Sequence, residues 1–147
     1  MSASSLTRGE VALTLVNSYT GVVIRSPHVG ILVDPVDIDM DKISDIDAIL
    51  ITHEHIHHLD ESIVADIQSN SGCLVIADSG SFGRLNAVIP SNKLKEAHVK
   101  DEFQLEEAGV VAEKSSHPAA EPLTYIITSE DGVSVFHSSD SAPFEEM

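Results

Sequence analysis

The chain has 147 residues, 42% hydrophobic and 22% charged, a composition typical of one globular domain with a buried core. Its 24 acidic residues against 8 lysines and arginines give a formal net charge of -16, which disfavours binding to nucleic acid or to an anionic membrane. The single cysteine, Cys73, excludes an internal disulfide framework and is expected to be a small buried hydrophobe. A polar N-terminus and the lack of a long apolar run predict a soluble cytoplasmic protein.

The first third of the sequence predicts β-structure. Short β-branched runs cover residues 11–16 and 21–25 on either side of a polar turn, and residues 30–35 form a third strand that ends in a proline. After an acidic loop at residues 37–47, the continuous apolar run at residues 48–52 is typical of a strand buried on both faces.

A helix, a further buried strand and a short second helix are predicted next. Asp60 or Ser62 can cap the first helix, and Gly72 is suited to its C-terminal end. Residues 73–77 form the strand, and residues 79–87 have a short helical pattern.

Antiparallel strands complete the prediction, and a turn at residues 130–132 joins the last two as a hairpin. The predicted strands cover residues 103–105, 110–112, 123–128 and 133–136. This order of elements predicts a mixed sheet with helices packed on it.

Four of the eight histidines, His53, His55, His57 and His58, lie within six residues directly after the buried run at residues 48–52. Residues two apart on an extended segment point the same way, so His53 and His55 can converge on one ion. Imidazole is a usual nitrogen ligand of Zn²⁺. A solvated loop or an artificial tag is also rich in histidine, but a tag lies at a terminus and does not alternate behind a strand. We therefore interpret this segment as a metal site.

The same segment resembles the signature of the metallo-β-lactamase superfamily, His-x-His-x-Asp-His at the end of a strand. More narrowly, the chain is similar to the UlaG-like hydrolases, which resemble ascorbate-6-phosphate lactonase. Residues 31–35 look like the early strand of that group, which ends in Asp-Pro. His117 lies where the family has its third histidine, and residues 137–141 resemble its His-Ala-Gly-Asp-Thr segment. The resemblance extends over about residues 11–141.

The resemblance implies an α/β fold, the αββα sandwich, of which this chain would supply the N-terminal half and the start of the second half. It assigns a first metal ion to His53, His55 and His117, and a second ion to His58 and Asp140, with Asp140 bridging. Asp34 would orient the ligands from behind. One or two Zn²⁺ ions are expected, with Mn²⁺ or Fe²⁺ as alternatives. The implied reaction is hydrolysis of a small ester, lactone or phosphoester by a hydroxide that the metal holds.

Three departures from the family pattern stand out. In the mildest of them, Ser139 and Ser141 replace Gly and Thr. His57 stands where the family has an aspartate that ligates the second metal and handles the proton of the nucleophile, so His57 and Asp140 are the catalytic candidates. His57 is also a candidate ligand of the second metal ion as a neutral imidazole, but it brings no negative charge and should weaken the second site. Tyr19 stands where the UlaG-like group often has a histidine. The Tyr19 departure bears on the identity of the substrate. The loss of the aspartate at position 57 supports a rival hypothesis, a non-catalytic member that binds one metal or a ligand. A nuclease of the same fold is disfavoured by the acidic charge.

Residues 1–147 are predicted to form one incomplete domain, because the family continues beyond the Asp140 segment. Strands at residues 48–51 and 74–77 need cover on both faces, and a single strong helix pattern leaves one face open. We therefore expect a fragment of a longer protein, or a fold that a second chain completes. The expected partner is a small-molecule substrate, with no nucleic acid or membrane, and a homo-oligomer is left open.

The remaining polar candidates near these motifs have structural or surface interpretations. His28 and His98 are expected to be solvated surface residues. Glu54, between two candidate ligands, is expected to point away from the ion.

Overall fold

The computed structural model describes residues 6–105 and 107–139, without the side chain of Lys42, and within them two β-sheets and two α-helices. The strands are β1 (Ala12–Leu15), β2 (Val22–Arg25), β3 (Gly30–Val33), β4 (Ala48–Ile51), β5 (Leu74–Ala77), β6 (Leu94–Glu96), β7 (Glu102–Leu105), β8 (Ala108–Lys114), β9 (Leu123–Thr128) and β10 (Ser134–His137). The helices are α1 (Glu61–Ser71) and α2 (Ser79–Leu85), and short 3-10 turns occur at Met40–Lys42 and Ser91–Lys93.

The first sheet contains β1 to β6 in the order in which they occur along the chain. Neighbours among β1, β2 and β3 are antiparallel, and neighbours from β3 to β6 are parallel. The register places Leu32 beside Ile49, and Ile49 beside Val75. Since parallel strands end at the same edge of a sheet, the residues that follow β3, β4 and β5 meet at that edge, where α/β proteins commonly bind their ligands.

The second sheet is antiparallel throughout, in the order β10-β9-β8-β7. Its longest pairing joins β8 to β9, from Gly109 beside Thr128 to Lys114 beside Leu123. The loop between these strands, residues 115–122, ends where the Leu123 amide donates a hydrogen bond of 2.9 Å to the Thr52 carbonyl. The loop is therefore held against the C-terminal end of β4.

Apolar side chains fill the space between the two sheets. The cluster includes Ile31, Val33, Leu50 and Ile76 of the first sheet, and Val110, Leu123, Tyr125 and Ile127 of the second. Tyr125 is fully buried, and its hydroxyl donates a hydrogen bond of 2.7 Å to the Ile51 carbonyl on the opposite sheet. The sheets are thus joined by packing and by a specific polar contact directly before the histidine segment.

The opposite face of the first sheet packs against the helices. Alternate strand residues such as Ile49 and Val75 meet Val64 and Ile67 of α1 and Leu85 of α2. The described residues therefore form three layers, helices, first sheet and second sheet. The expectation that the strands at residues 48–51 and 74–77 lack cover on one face is wrong, because the second sheet covers the face that the helices leave free.

The predicted first helix is confirmed. Asp60 caps it by accepting hydrogen bonds from the amides of Ser62 and Ile63, and Gly72 ends it in the left-handed conformation, with a φ of 70°. Cys73 is buried directly before β5, as predicted. The sequence prediction missed β6, whose Leu-Lys-Glu sequence has no apolar pattern. Among the residues that the structure describes, β6 pairs with β5 alone. None of the helices in the described part of the chain is long and apolar enough to cross a bilayer.

Candidate metal centre

The chain leaves β4 and folds back on itself, and this turn carries the clustered histidines. The amides of His58 and Leu59 both donate to the His55 carbonyl, at 2.9 and 3.0 Å. The reversal returns His58 to the side of His53, with the two ring centroids 3.9 Å apart. Both rings are buried, whereas His55 stays exposed. The turn therefore places two of its histidines in the interior and His55 at the surface.

Three histidines meet at the top of this turn. His53, His55 and His117 each offer a ring nitrogen, and these atoms all lie within 4.8 Å of one another. Nε2 of His117 lies 3.3 Å from Nδ1 of His55. Nitrogen ligands about 2.0–2.1 Å from a tetrahedral Zn²⁺ ion lie roughly 3.3 Å apart, so the separation of this pair matches that of two ligands of one such ion. His117 arrives from the loop between β8 and β9, so both sheets contribute to the group.

The protonation of His53 suits a ligand. Burial, reinforced by the charge that neighbouring His58 would carry, lowers the pKa of His53 to about 4, although the Asp34 carboxylate opposes the change. The imidazole is therefore neutral at neutral pH, so a metal ion can bind it without first displacing a proton.

Asp34 organises the base of the site. It follows β3 in the left-handed conformation, with a φ of 49°, and it is fully buried. Its carboxylate accepts hydrogen bonds from the Thr52 amide at 2.9 Å, from the Thr52 hydroxyl at 2.7 Å and from the Thr20 hydroxyl at 3.0 Å. Nδ1 of His58 lies 2.9 Å from the same carboxylate.

This network directs the tautomers of two histidines. A carboxylate only accepts, so Nδ1 of His58 carries a proton where it faces Asp34. The Thr52 hydroxyl gives its one proton to Asp34, and it therefore accepts from Nδ1 of His53, 3.0 Å away. With Nδ1 in this network, the lone pair of each ring in its neutral form lies on Nε2, as in metal sites whose ligand histidines are oriented by hydrogen bonds from behind. The donor set therefore fits a divalent metal ion.

His57 lies outside the group of three. Its ring is exposed and stacks on Tyr19, with the centroids 4.2 Å apart and the planes 8° from parallel. Two of the positions that depart from the family pattern are therefore in contact. Asp140 lies outside the described residues, but nearby Ser139 places its hydroxyl 2.9 Å from that of Thr52. The segment after β10 thus leads to the edge of the site.

Glu54 makes two long-range contacts that the sequence analysis missed. Its Oε1 accepts a hydrogen bond of 3.0 Å from the Ala120 amide, and its carbonyl accepts one of 2.8 Å from Arg84. Burial opposes ionisation of Glu54, but the bond from Ala120, together with its own amide and the flanking histidines, lowers its pKa overall. The side chain is thus directed to the loop that carries His117.

A second contact holds the same loop. Glu121 accepts a hydrogen bond of 2.8 Å from the Ser79 hydroxyl, and its other oxygen lies 2.9 Å from Nδ1 of His98. Hydrogen bonding to Glu121 raises the pKa of His98. His98 is exposed as predicted, but it also pairs with the loop, a contact that only the three-dimensional arrangement reveals.

Sequence comparisons agree with this geometry. The model of the β-lactamase superfamily domain matches residues 14–147. A UPF0173 metal-dependent hydrolase of Polynucleobacter asymbioticus is 28% identical over 131 residues, covering 74% of this chain and 45% of that protein. A UPF0173 protein of Pyrococcus furiosus is 34% identical over 114 residues, covering 76% and 51%. The chain thus spans about half the length of the curated relatives it matches.

Solved structures share the fold. A protein described as a metal-dependent hydrolase, from Parabacteroides distasonis, superposes with a TM-score of 0.74 at 24% identity, covering 89% of this chain and 61% of that one. CmlA, a diiron β-hydroxylase from Streptomyces venezuelae, superposes with a TM-score of 0.71 at 20% identity, covering 92% and 30%. Fold, histidine geometry and the match over residues 14–147 agree, and the chain belongs to the metallo-β-lactamase superfamily.

Proposed function

We propose that this chain provides the metal-binding part of a metal-dependent hydrolase. The observation that carries the proposal is the convergence of His53, His55 and His117, whose ring nitrogens lie within 4.8 Å of one another. A neutral His53 and the orienting network of Asp34 support a site prepared for a divalent ion. The name of the Polynucleobacter relative, a metal-dependent hydrolase, supports the same reaction class.

The residues would divide the work as follows. His53, His55 and His117 hold the first ion, and Asp34 fixes the orientation of the rings behind it. When bound, a divalent ion in such a site polarises the scissile bond and acidifies water. His58 and Asp140 are proposed for a second ion.

The proposed substrate is a small ester, lactone or phosphoester, as in the UlaG-like group, and Zn²⁺ is the proposed ion. Support for the narrower assignment comes from the order of the Asp34, His53 and His117 segments along the chain. The net charge of -16 supports a small molecule over a nucleic acid.

Metal analysis tests the proposal. Protein prepared without an affinity tag is dialysed against Zn²⁺, Mn²⁺ or Fe²⁺ and analysed for bound metal, with His117→Ala and His28→Ala in parallel. We expect at least one equivalent in the wild type and in His28→Ala, since His28 is remote from the site. His117→Ala should bind the metal ion more than about 100-fold more weakly. Loss of a ligand should lower the affinity more than the 10–100-fold effect of losing a residue that only orients a ligand. Less than a tenth of an equivalent in the wild type would refute the site.

A second candidate function is metal binding without turnover. The stacking of His57 on Tyr19 favours it, because the residue at the family's aspartate position is engaged away from the three converging histidines. Assays of the metal-loaded protein on a panel of phosphodiesters and lactones separate the two. Turnover that requires His117 supports the hydrolase, whereas bound metal with no turnover on any substrate supports the alternative.

A further inference from the structure

We propose that Glu54 is a positioning residue that holds His117 beside His53 and His55, by fastening the loop at residues 115–122 to the histidine turn. The expected effect of Glu54 on metal affinity rests on the proposed function. Its structural part, the attachment of the loop, stands on contacts that exist without a metal.

The loop has no strand or helix of its own between the ends of β8 and β9. Three residues after His117, the Ala120 amide donates to Oε1 of Glu54 at 3.0 Å. Glu54 lies between His53 and His55 in sequence, so this bond ties the third histidine directly to the segment that carries the other two. A hydrogen bond to a carboxylate is stronger than one between neutral groups.

Glu54 is itself held in place. Arg84 of α2 donates to its carbonyl at 2.8 Å, and the same guanidinium pairs with Glu61 at 2.6 Å. The other carboxylate oxygen of Glu54 occupies the space above Gly80, where a Cβ atom would lie only 2.8 Å away. The absence of a side chain at residue 80 therefore makes room for the Glu54 carboxylate at the start of α2.

An attached loop presents His117 before any ion arrives. Without the Glu54 contact, the loop would keep its Glu121 and Leu123 contacts, but the ion would have to order the part that carries His117. That conformational entropy would be subtracted from the binding energy of the ion. Residues behind metal ligands typically change affinity 10–100-fold. We expect a loss in this range when the carboxylate is removed.

The first test measures Zn²⁺ affinity by competition with a chromophoric chelator. Glu54→Ala should bind 10–100-fold more weakly, and Glu54→Gln should recover most of the loss because its amide oxygen still accepts from Ala120. Gly80→Ala keeps the carboxylate but displaces it, and should weaken binding in the same direction. Glu113→Ala, which removes a carboxylate paired with Lys100, is the matched control and should bind as the wild type does.

A double-mutant cycle separates positioning from general damage to the fold. If Glu54 acts through His117, then Glu54→Ala should cause little further loss of affinity in a His117→Ala background. An equal loss in both backgrounds, or an unchanged affinity in Glu54→Ala alone, would overturn the proposal.

A readout without metal keeps the two proposals distinguishable. In chelator-treated protein, hydrogen exchange of the Ala120 amide should be slower in the wild type and Glu54→Gln than in Glu54→Ala. Equal exchange in all three would overturn the attachment itself. A wild type that binds no metal would refute the proposed function, while exchange at Ala120 would still decide whether Glu54 fastens the loop.

Discussion

Replacing the buried carboxyl of Asp78 by an amide should stabilise the protein at neutral pH. Asp78 caps α2 by accepting from the Ser81 amide and is fully buried. Burial, with a smaller contribution from the charge of Glu54, raises its pKa from 3.8 to about 6. Since a tenfold change in proton affinity is worth about 1.4 kcal/mol, the ionised carboxyl costs the folded state about 3 kcal/mol relative to the unfolded chain.

The direction in which stability changes with pH follows from the two proton affinities of Asp78. The folded state holds this proton more tightly, so the contribution of Asp78 to stability is fully present below pH 3.8 and is lost as the pH rises through about 6. Asp78→Asn does not titrate, and asparagine is an equally good cap. His53, whose low pKa makes stability fall with decreasing pH between 6.5 and about 4, is present in both proteins and cancels in the comparison.

Urea unfolding at pH 4, 5, 6, 7 and 8 gives the free energy of unfolding of each protein. The advantage of Asp78→Asn over the wild type should grow by about 2–3 kcal/mol between pH 4 and pH 7 and then level off. Asp60→Asn is the matched control for the loss of a capping carboxylate, since Asp60 caps α1 in the same way but is only half-buried. Parallel curves for the wild type and Asp78→Asn would refute the reasoning.

Three further predictions concern the site and its support. His57→Asp restores a carboxylate and should raise the affinity for a second metal ion, measured by calorimetric titration; equal affinities would mean that His57 already serves as a ligand or lies outside the site. Tyr125→Phe removes the bond to Ile51 and should lower the free energy of unfolding by about 1–3 kcal/mol, whereas Tyr19→Phe, on an exposed ring, should change it little. Free Zn²⁺ at 100 times its dissociation constant should stabilise the fold by about 2.7 kcal/mol in urea unfolding, and a chelator should reverse this; no change would contradict binding to the folded state.

The sequence predicted most of the first sheet because its strands are near-continuous apolar runs with clear ends. The strands predicted at residues 48–52 and 73–77 correspond to β4 and β5, and Asp60 caps α1 as predicted. The short β6 could not be predicted, since its strand character comes from pairing with β5 alone. The sequence also did not predict that both faces of the first sheet are covered, because local patterns do not show which sheets pack face to face.

At the site, the spacing of His53 and His55 after a buried strand was sufficient to predict a metal-binding segment. His117 required the family resemblance, because one histidine in a loop carries no pattern of its own. Glu54 and His98 could not have been assigned from sequence, since their partners, Ala120 and Glu121, are distant along the chain. Long-range contacts of this kind depend on the loop conformation and leave no local periodicity.

The division of the strands along the chain has a consequence for assembly. In the described part of the chain, the strands of the first sheet lie within residues 12–96, and the strands of the second lie within residues 102–137. Each sheet can therefore pair its strands before the other has formed, and His117 reaches its partners only when the two sheets dock. An ion shared by His53, His55 and His117 would link the two halves of the chain, so metal binding and docking would reinforce each other. Substitutions that loosen the contact between the sheets should then lower metal affinity even where they lie far from any histidine.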